Sequence, residues 1–419
     1  MRVRPIVCFR SPAPGPRARG TIHTILQRGA WPEHLFDVQF DSSQNIKSND
    51  LNGIIVSFLI AMPEYHLERL NRENAKDWAD LNDTSPDGSL FHSLKWRQFA
   101  EQTSGVPNED FILYRDDEVF GLFPLAMETI RGFSGIAPAH VPWTLRFILK
   151  DYRDPFAMQY LIDELRDECR YGKPISFFCL AATRPEVFDT IARYPRFPYP
   201  FYEGEREGEL VIDLKRTPPD DIWNSFTSDS AERKKVRRFE KDGFELTEAR
   251  SRGDLDIFYQ YYEENVNQIT DGLLTPFSYF SGMWDAMSDE IKILLLVKGS
   301  TVAGGQLLLS DERRKRVYLY FLALNRSLPT CYHPTVYLNW KSIVWAWENR
   351  YEKVSFGREI TRNLHQQNPT YRIKKGFGAT FEPIYSEIIP TSPMLSMGIR
   401  SRKYLDWGRS VRSRIQLHR

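Results

Sequence analysis

Val354-Ser-Phe-Gly-Arg-Glu359, followed by Tyr371-Arg-Ile-Lys-Lys-Gly-Phe-Gly378, reads as a strand that stops at a glycine, then a polar excursion, then a lysine beside a glycine-punctuated aromatic turn. Gly357, Gly376 and Gly378 allow positive φ angles or close backbone approach to a ligand. Arg358 and Lys374 would bring cationic donors to one rim. A substrate that carries phosphate, or develops an oxyanion, needs such an arrangement. The alternative is a basic loop closing the last strands of an α/β domain.

Working outward, the pattern is regular from Tyr65 onward. Residues 71–82 and 90–99 have apolar positions at helical spacing. Residues 111–114 and 119–125 flank Arg115-Asp-Asp-Glu118, a hairpin signature. An amphipathic helix over 156–171 and a short buried strand over 175–180 follow. The prolines of Tyr194-Pro-Arg-Phe-Pro-Tyr-Pro200 cannot sit inside an element, so the domain junction is placed there. The second half repeats the plan. A strand over 208–214 precedes helices opening at Pro218 and over 231–241, then a strand over 244–249 and a tyrosine-rich helix over 254–266. A hairpin of 291–297 with 302–309, a strand over 316–323 and a helix over 335–350 lead into the quoted strand. Two similar α/β units in tandem, with mixed sheets, fit this order better than one large sheet.

At 419 residues two domains are expected, and an aromatic content of 14% supplies large cores. The formal net charge of +1 argues against bulk nucleic-acid binding, so any polyanion would meet a local patch. Cys8, Cys169, Cys179 and Cys331 have no metal-ligand spacing and are expected as buried free thiols in a reducing compartment. Ile54–Met62, the best apolar run, is about half the length of a bilayer crossing. Residues 1–62 are expected as a poorly ordered extension, with Met62 an alternative start. Domains over 63–200 and 201–392 and a basic tail over 393–419 complete the division.

The order of these pieces resembles the FemAB-like branch of the GNAT acyltransferase superfamily. The resemblance runs over about residues 66–390. It is carried by Ser89-Leu-Phe-His-Ser-Leu-Lys-Trp96, by Ala231-Glu-Arg-Lys-Lys-Val-Arg-Arg-Phe-Glu-Lys-Asp-Gly243, by Val302-Ala-Gly-Gly305, and by Phe356-Gly357 with Ile373-Lys-Lys-Gly-Phe-Gly378. In the last motif Ile373 replaces the family's phenylalanine. The resemblance implies two tandem GNAT-like domains of mixed α/β type and acyl transfer to an amine. Characterised relatives move an aminoacyl group from aminoacyl-tRNA onto a peptidoglycan precursor peptide, and others act as acetyltransferases. It therefore implies an acyl donor, aminoacyl-tRNA or acyl-CoA, with no permanently bound cofactor. Coenzyme A-dependent domains open a helix with a glycine-rich loop whose N–H groups hold pyrophosphate. Here that place is Asn325-Arg-Ser-Leu-Pro-Thr-Cys-Tyr-His-Pro-Thr335, which has no glycine.

By family position Lys374 is the first candidate for oxyanion or phosphate stabilisation, and Arg358 the second unless it pairs with a carboxylate such as Glu359. Gly357, Glu359, Gly376 and Gly378 would line the substrate. Arg233, Arg237 and Arg238 on the 231–241 helix form either a phosphate clamp or a solvated face balanced by Glu232 and Glu240. His92 is a candidate base, but its apolar neighbours favour a hydrogen-bonded core histidine. No triad, HExxH or P-loop pattern occurs, and the eight histidines lack ligand spacing, so no metal is expected. In the tail, Arg400, Arg402, Lys403, Arg409, Arg412, Arg414 and Arg419 surround a helical stripe of Tyr404, Trp407, Val411 and Ile415. That pattern suits an anionic membrane surface, the protein body or nucleic acid. The expectation is a cytoplasmic N-acyltransferase, with peripheral contact at the inner membrane face, acting on an amine of a cell-envelope precursor or related small molecule. A coenzyme A-dependent N-acetyltransferase and a non-catalytic GNAT-fold binding module are the alternatives.

Overall fold

The computed structural model describes residues 5–7, 24–26, 63–105, 108–130, 133–138, 146–170, 177–182, 184, 202–203, 207–226, 231–268, 274–329, 331–365 and 367–390. The proline-rich junction and the basic tail lie outside them. So does most of the N-terminal extension, where β1 (Pro5–Val7) pairs with β2 (Thr24–Leu26).

In chain order the first half contains β3 (Tyr65–Arg69), α1 (Ala75–Thr84), a short 3-10 turn at Leu90–His92, α2 (Leu94–Ser104), β4 (Phe111–Arg115) and β5 (Glu118–Phe123). There follow β6 (Leu125–Ile130), β7 (Phe133–Pro138), β8 (Ile148–Leu149), α3 (Pro155–Arg170), β9 (Phe177–Ala182) and β10 (Tyr202–Glu203). The second half opens with β11 (Glu207–Asp213), α4 (Pro219–Ser225), α5 (Ala231–Lys241), β12 (Glu245–Glu248), α6 (Arg252–Asn267) and α7 (Phe277–Ala286). It ends with β13 (Ile291–Lys298), β14 (Thr301–Asp311), β15 (Arg316–Leu324), α8 (Pro334–Glu348), β16 (Lys353–Ile360), α9 (Pro369–Gly376) and β17 (Thr380–Pro390).

Local chemistry explains most of these bounds. Asp116 and Asp117 both adopt positive φ, the two-residue turn that matches the twist of the β4–β5 hairpin. Ser251 and Asp254 form a reciprocal capping box at the start of α6. Pro219 and Pro334 stand in the first turns of their helices, where a missing N–H is harmless. Gly305 is required by packing: a Cβ there would lie 2.8 Å from the Phe258 ring. The helix expected over 90–99 is instead a 3-10 turn followed by α2, which Ser93 caps through the Trp96 amide.

One large sheet joins the two halves, in place of the separate sheets expected. Its order is β12-β13-β14-β15-β16-β11-β17-β9-β7-β6, with β10 also on β17. The link is β17, which pairs with β11 through residues 380–384 and with β9 through residues 385–390. Propensity and alternation cannot announce such a change of partner along one strand. A second sheet, β3-β4-β5-β8, belongs to the first half alone.

The cores cross the same boundary. One face of the second half carries α4, α5 and α8 over Leu210, Ile212, Val236, Phe239, Val317, Leu319, Val354, Phe356 and Phe377. On the other face, Leu90, Phe91, Trp96, Phe99 and Ala100 pack with Leu255, Phe258, Tyr262, Phe280, Met283 and Tyr318. Phe91 meets the Tyr318 ring edge-on at 4.7 Å, and Asp311 accepts from the Leu90 amide at 2.7 Å. In the first half the buried pair of Arg97 and Asp110, 3% exposed on each side, fixes α2 to the segment entering β4.

Trp96 is fully buried in the shared core. Trp96→Ala is expected to cost about 3–5 kcal/mol. Urea unfolding followed by circular dichroism should show both halves losing stability together.

Candidate functional site

Parallel strands β15 and β16 pair over only three positions, Arg316–Tyr318 with Lys353–Ser355. Beyond them, β15 runs on to Leu324 beside β14, and β16 runs on to Ile360 beside β11. The sheet therefore splits at the carboxyl ends of two parallel strands. Crevices at such ends are where open α/β sheets bind ligands. The crossover helix α8 begins at this end, because it follows the last residues of β15.

A buried charge cluster marks the apex of the split. Glu209 on β11 accepts from Arg316 at 2.6 Å and from the Ser355 hydroxyl at 2.8 Å, and Arg146 lies 3.5 Å from its other oxygen. Burial alone would raise the Glu209 pKa, but Arg316, Arg146 and Ser355 outweigh it and hold the carboxyl below its ordinary value. Burial disfavours the Arg316 charge too, but Glu209, Tyr318, Glu382 and Asp311 together outweigh it and raise that pKa. These residues escape a reading based on family motifs. The signal present was alternation: Glu207, Glu209 and Val211 share a strand face, and carboxylates on a buried face require cations.

The strand that carries Ser355 does not stop at Gly357, as expected; it continues to Ile360. Gly357 has φ +83 and sits in a bulge, where Phe356 and Gly357 together oppose Leu210. Only glycine takes this backbone easily, and the bulge resets which side chains face which side. Arg358 pairs with Glu207, the neighbour of Glu209 on its own face. Glu359 turns to the other side, accepting from Lys374 at 3.1 Å and from Asn363 at 2.9 Å.

Arg358 and Lys374 thus reach the end of the split on opposite faces of the sheet, instead of sharing one rim. Adjacent strand residues alternate, which forces the separation. The alternative for Arg358, pairing with a carboxylate such as Glu359, is met by Glu207 instead, for the same reason. Lys374 is not on a loop: it belongs to α9, whose N-terminus Asn368 caps through the Thr370 and Tyr371 amides. Asn368-Pro369 was a legible start signal. Gly376 ends that helix, and Gly378 follows with φ +85. Lys374 is 13% exposed on its side chain and Glu359 9%, so the pair stands at the mouth and not in bulk water.

Other candidates fall elsewhere. His92 is a core residue: its Nδ1 meets Ser89 Oγ at 2.7 Å, its Nε2 meets the Arg146 carbonyl at 2.7 Å, and burial pushes its pKa down to about 3. Arg233 donates to the Trp223 carbonyl and stacks on that ring, tying α5 to α4, whereas Arg237 and Arg238 are exposed. Cys331 is exposed, not buried as expected, because it lies in the loop before α8; Cys179 is half-buried. Among the described residues no cluster of His, Cys, Asp and Glu could hold a metal. A cavity of about 410 Å³ is lined by Arg115, Asp116, Glu118, Val119, Phe120 and Lys150, at the β4–β5 hairpin. It shares no residue with the split strands, and its charged groups pair with one another.

Residues 230–365 match the family model of the acetyltransferase (GNAT) domain. The crystal structure of FemX is similar with a TM-score of 0.57 at 14% identity, covering 80% of this chain and 99% of that one. A tandem GNAT protein from the clavulanic acid biosynthesis pathway, solved without AcCoA, gives 0.52 at 12% identity over 79% of this chain and 99% of its own. A conserved protein of unknown function from Bacteroides thetaiotaomicron VPI-5482 gives 0.50 at 10% identity over 78% and 100%. No protein of curated function matches the sequence. The split strands lie inside the matched domain. The resemblance to FemAB-like GNAT proteins is borne out at the level of the fold, which is that of tandem GNAT proteins.

Two outcomes follow from the buried groups. Glu209→Gln leaves Arg316 without its main counter-charge and is expected to cost about 3–5 kcal/mol at neutral pH. Because the folded pKa of Glu209 is depressed, its contribution is present above the unfolded carboxylate range and lost as pH falls through the folded value. The gap between variant and wild type should therefore narrow in acid. His92 stays neutral when folded, while the unfolded chain takes up a proton below about pH 6.5. Wild-type stability should fall by about 1.4 kcal/mol per pH unit from this residue between pH 6.5 and about 3. Urea titrations of His92→Gln across that window should show a correspondingly shallower decline.

Proposed function

We propose, from a FemAB-like tandem GNAT fold with a matching acetyltransferase domain, that this chain is an N-acyltransferase. It transfers an aminoacyl or related acyl group to the amine of a cell-envelope precursor or a related small molecule. The observation that carries this reading is the split between β15 and β16 with Lys374 and Glu359 at its mouth.

The chemistry assigns each group a task. A neutral amine attacks the donor carbonyl, and the carbonyl oxygen becomes an oxyanion. Collapse re-forms the C=O and breaks the bond to the donor's oxygen or sulfur, which leaves with the proton that the amine nitrogen gives up. A preorganised cation facing that oxygen lowers the barrier, since the site excludes much of the competing water. Lys374 is the cation best placed for this or for a donor phosphate. Glu359 orients it until an anion arrives. Arg358, on the other face, is held by Glu207 and fits a role in shaping the β16 bulge beside Gly357. Glu359 and Gly378 would contact substrate from the α9 side.

The donor reading rests on the start of α8. Pro334 removes one N–H from the first turn, and the segment that leads into it, residues 325–333, holds no glycine to bring its backbone close to a phosphate. A pyrophosphate cradle of backbone amides is correspondingly poor, which favours aminoacyl-tRNA over acyl-CoA. The second reading, a coenzyme A-dependent acetyltransferase, draws on the same helix, whose N-terminus still opens at the split end and favours negative charge.

Lys374→Ala is expected to lower acyl transfer by about 10²–10³-fold. The assay supplies either acetyl-CoA or mixed aminoacyl-tRNA with a panel of primary amines, and mass spectrometry detects the amide. Undiminished transfer by the variant would remove Lys374 from the reaction. The donor that supports transfer decides between the two readings.

A further inference from the structure

The two faces of the sheet differ at the split. On one, α8 packs together with Ile373 and Phe377, the neighbours of Lys374 on and just after α9. On the other, α6 and α7 pack beside the part of β15 that β16 has left.

The wall on this second face is aromatic and only half-buried. Tyr320 is the extra residue of a bulge in β15, where Leu319 opposes Leu308 and Phe321 opposes Leu307. Its hydroxyl meets that of Tyr279 on α7 at 2.6 Å, and Tyr262 on α6 stands edge-on to the Phe321 ring at 5.3 Å. Tyr279, Tyr320 and Phe321 are each half-buried. Burial pushes both phenols of the pair well above their ordinary range, so they stay neutral.

A cation stands at the end of this wall. Arg326, exposed and two residues past β15, donates from Nε at 2.8 Å and from one Nη to Oδ1 of Asn265, the residue three positions after Tyr262 on α6. Asn265 is 7% exposed, and its Nδ2 lies 3.5 Å from the Leu322 carbonyl. Leu322 is two residues, roughly 7 Å of strand, from Tyr320. The backbone under Arg326 is also fixed: Asn325 donates to the Val302 carbonyl at 2.7 Å and accepts from the Ser327 amide at 2.9 Å. A neutral amide orients a guanidinium without cancelling its charge. It takes two of the five N–H groups. Among the described residues no carboxylate forms an ion pair with Arg326.

We propose that this recess receives the acyl acceptor, and that the acceptor is an amine that also carries an oxyanion, carboxylate or phosphate, bound by Arg326. The guanidinium fork matches either group. Although Arg326 belongs to the segment leading to α8, its side chain turns away from that helix to α6. An opened sheet lets two reactants meet through it from opposite faces, with the donor on the side of α8 and Lys374. The amine end of the acceptor then lies toward Tyr320, beside the split. Calling the ligand an acyl acceptor rests on the acyltransferase reading; the oxyanion contact at Arg326 does not.

The test uses saturation-transfer NMR titrations of the full chain with two matched pairs, L-lysine against cadaverine and phosphoethanolamine against ethanolamine. The anionic member of at least one pair should bind about 10–100-fold more tightly than its partner, and the pair that responds tells carboxylate from phosphate. Arg326→Gln, at an exposed site, should abolish that preference. Asn265→Asp keeps the size of the side chain but supplies the guanidinium with a counter-charge, and should weaken the same binding. A merely structural asparagine would leave it unchanged. Unchanged thermal midpoints confirm folding. No binding of either anionic amine, or a preference that survives Arg326→Gln, overturns the proposal. So does loss of coenzyme A binding in Arg326→Gln with amine binding intact, which would place the arginine on the donor side. Amide formation from acetyl-CoA or aminoacyl-tRNA, measured alongside, separates the two readings. Arg326-dependent binding without transfer from any donor leaves the site standing and removes the acyltransferase reading. Transfer whose acceptor KM ignores Arg326→Gln does the reverse.

Discussion

Glu209 is a carboxylate buried where three strands meet, and the geometry of the candidate site depends on how its charge is met. Arg316 arrives from β15, Ser355 from β16 and Arg146 from the first half of the chain. An unpaired charge at this depth would cost several kcal/mol, so these partners cannot drift independently. The last β15–β16 pair, Tyr318 with Ser355, coincides with the cluster. Past it the strands part, each held by an outer neighbour. The opening of the sheet is thus pinned at its apex by electrostatics and maintained along its length by backbone pairing.

The two halves are joined by more than a linker. Strand β17 changes partner from β11 to β9 at its midpoint, and Ile389 near its end is buried in the core of the first half. In the opposite direction, the segment from Leu90 to Ala100 enters the core of the second half through Phe91, Trp96 and Phe99. Each half therefore completes the other. The split strands sit close to this junction, so their geometry is supported from both sides.

Much of the fold was legible because its signals are local. Apolar spacing placed α5 at 231–241, as observed, and the hairpins at Asp116-Asp117 and Gly299-Ser300 followed from turn chemistry. The helix bearing Lys374 was missed although Asn368-Pro369 announced it, because the glycines beyond drew attention to a loop. The β6–β7 hairpin and β17 were missed for a different reason. The runs of β6 and β7 contain small and polar residues, and β17 pairs with strands distant in sequence.

By itself the sequence determined most of the element types, the repeated α/β plan, the likeness to FemAB-like GNAT proteins and the identity of Lys374 as a cation worth testing. Those follow from side-chain period, capping residues and motif order, all of which act within a few residues or along the chain. Only the tertiary structure decided that one sheet joins the halves, that the Gly357 bulge sends Arg358 to Glu207 and Glu359 to Lys374, and that Glu209 stands at the apex of the split. Each of these depends on which strands become neighbours and on which face a residue emerges. A single bulge inverts facing, and partner choice is settled by burial and charge summed over residues more than a hundred positions apart.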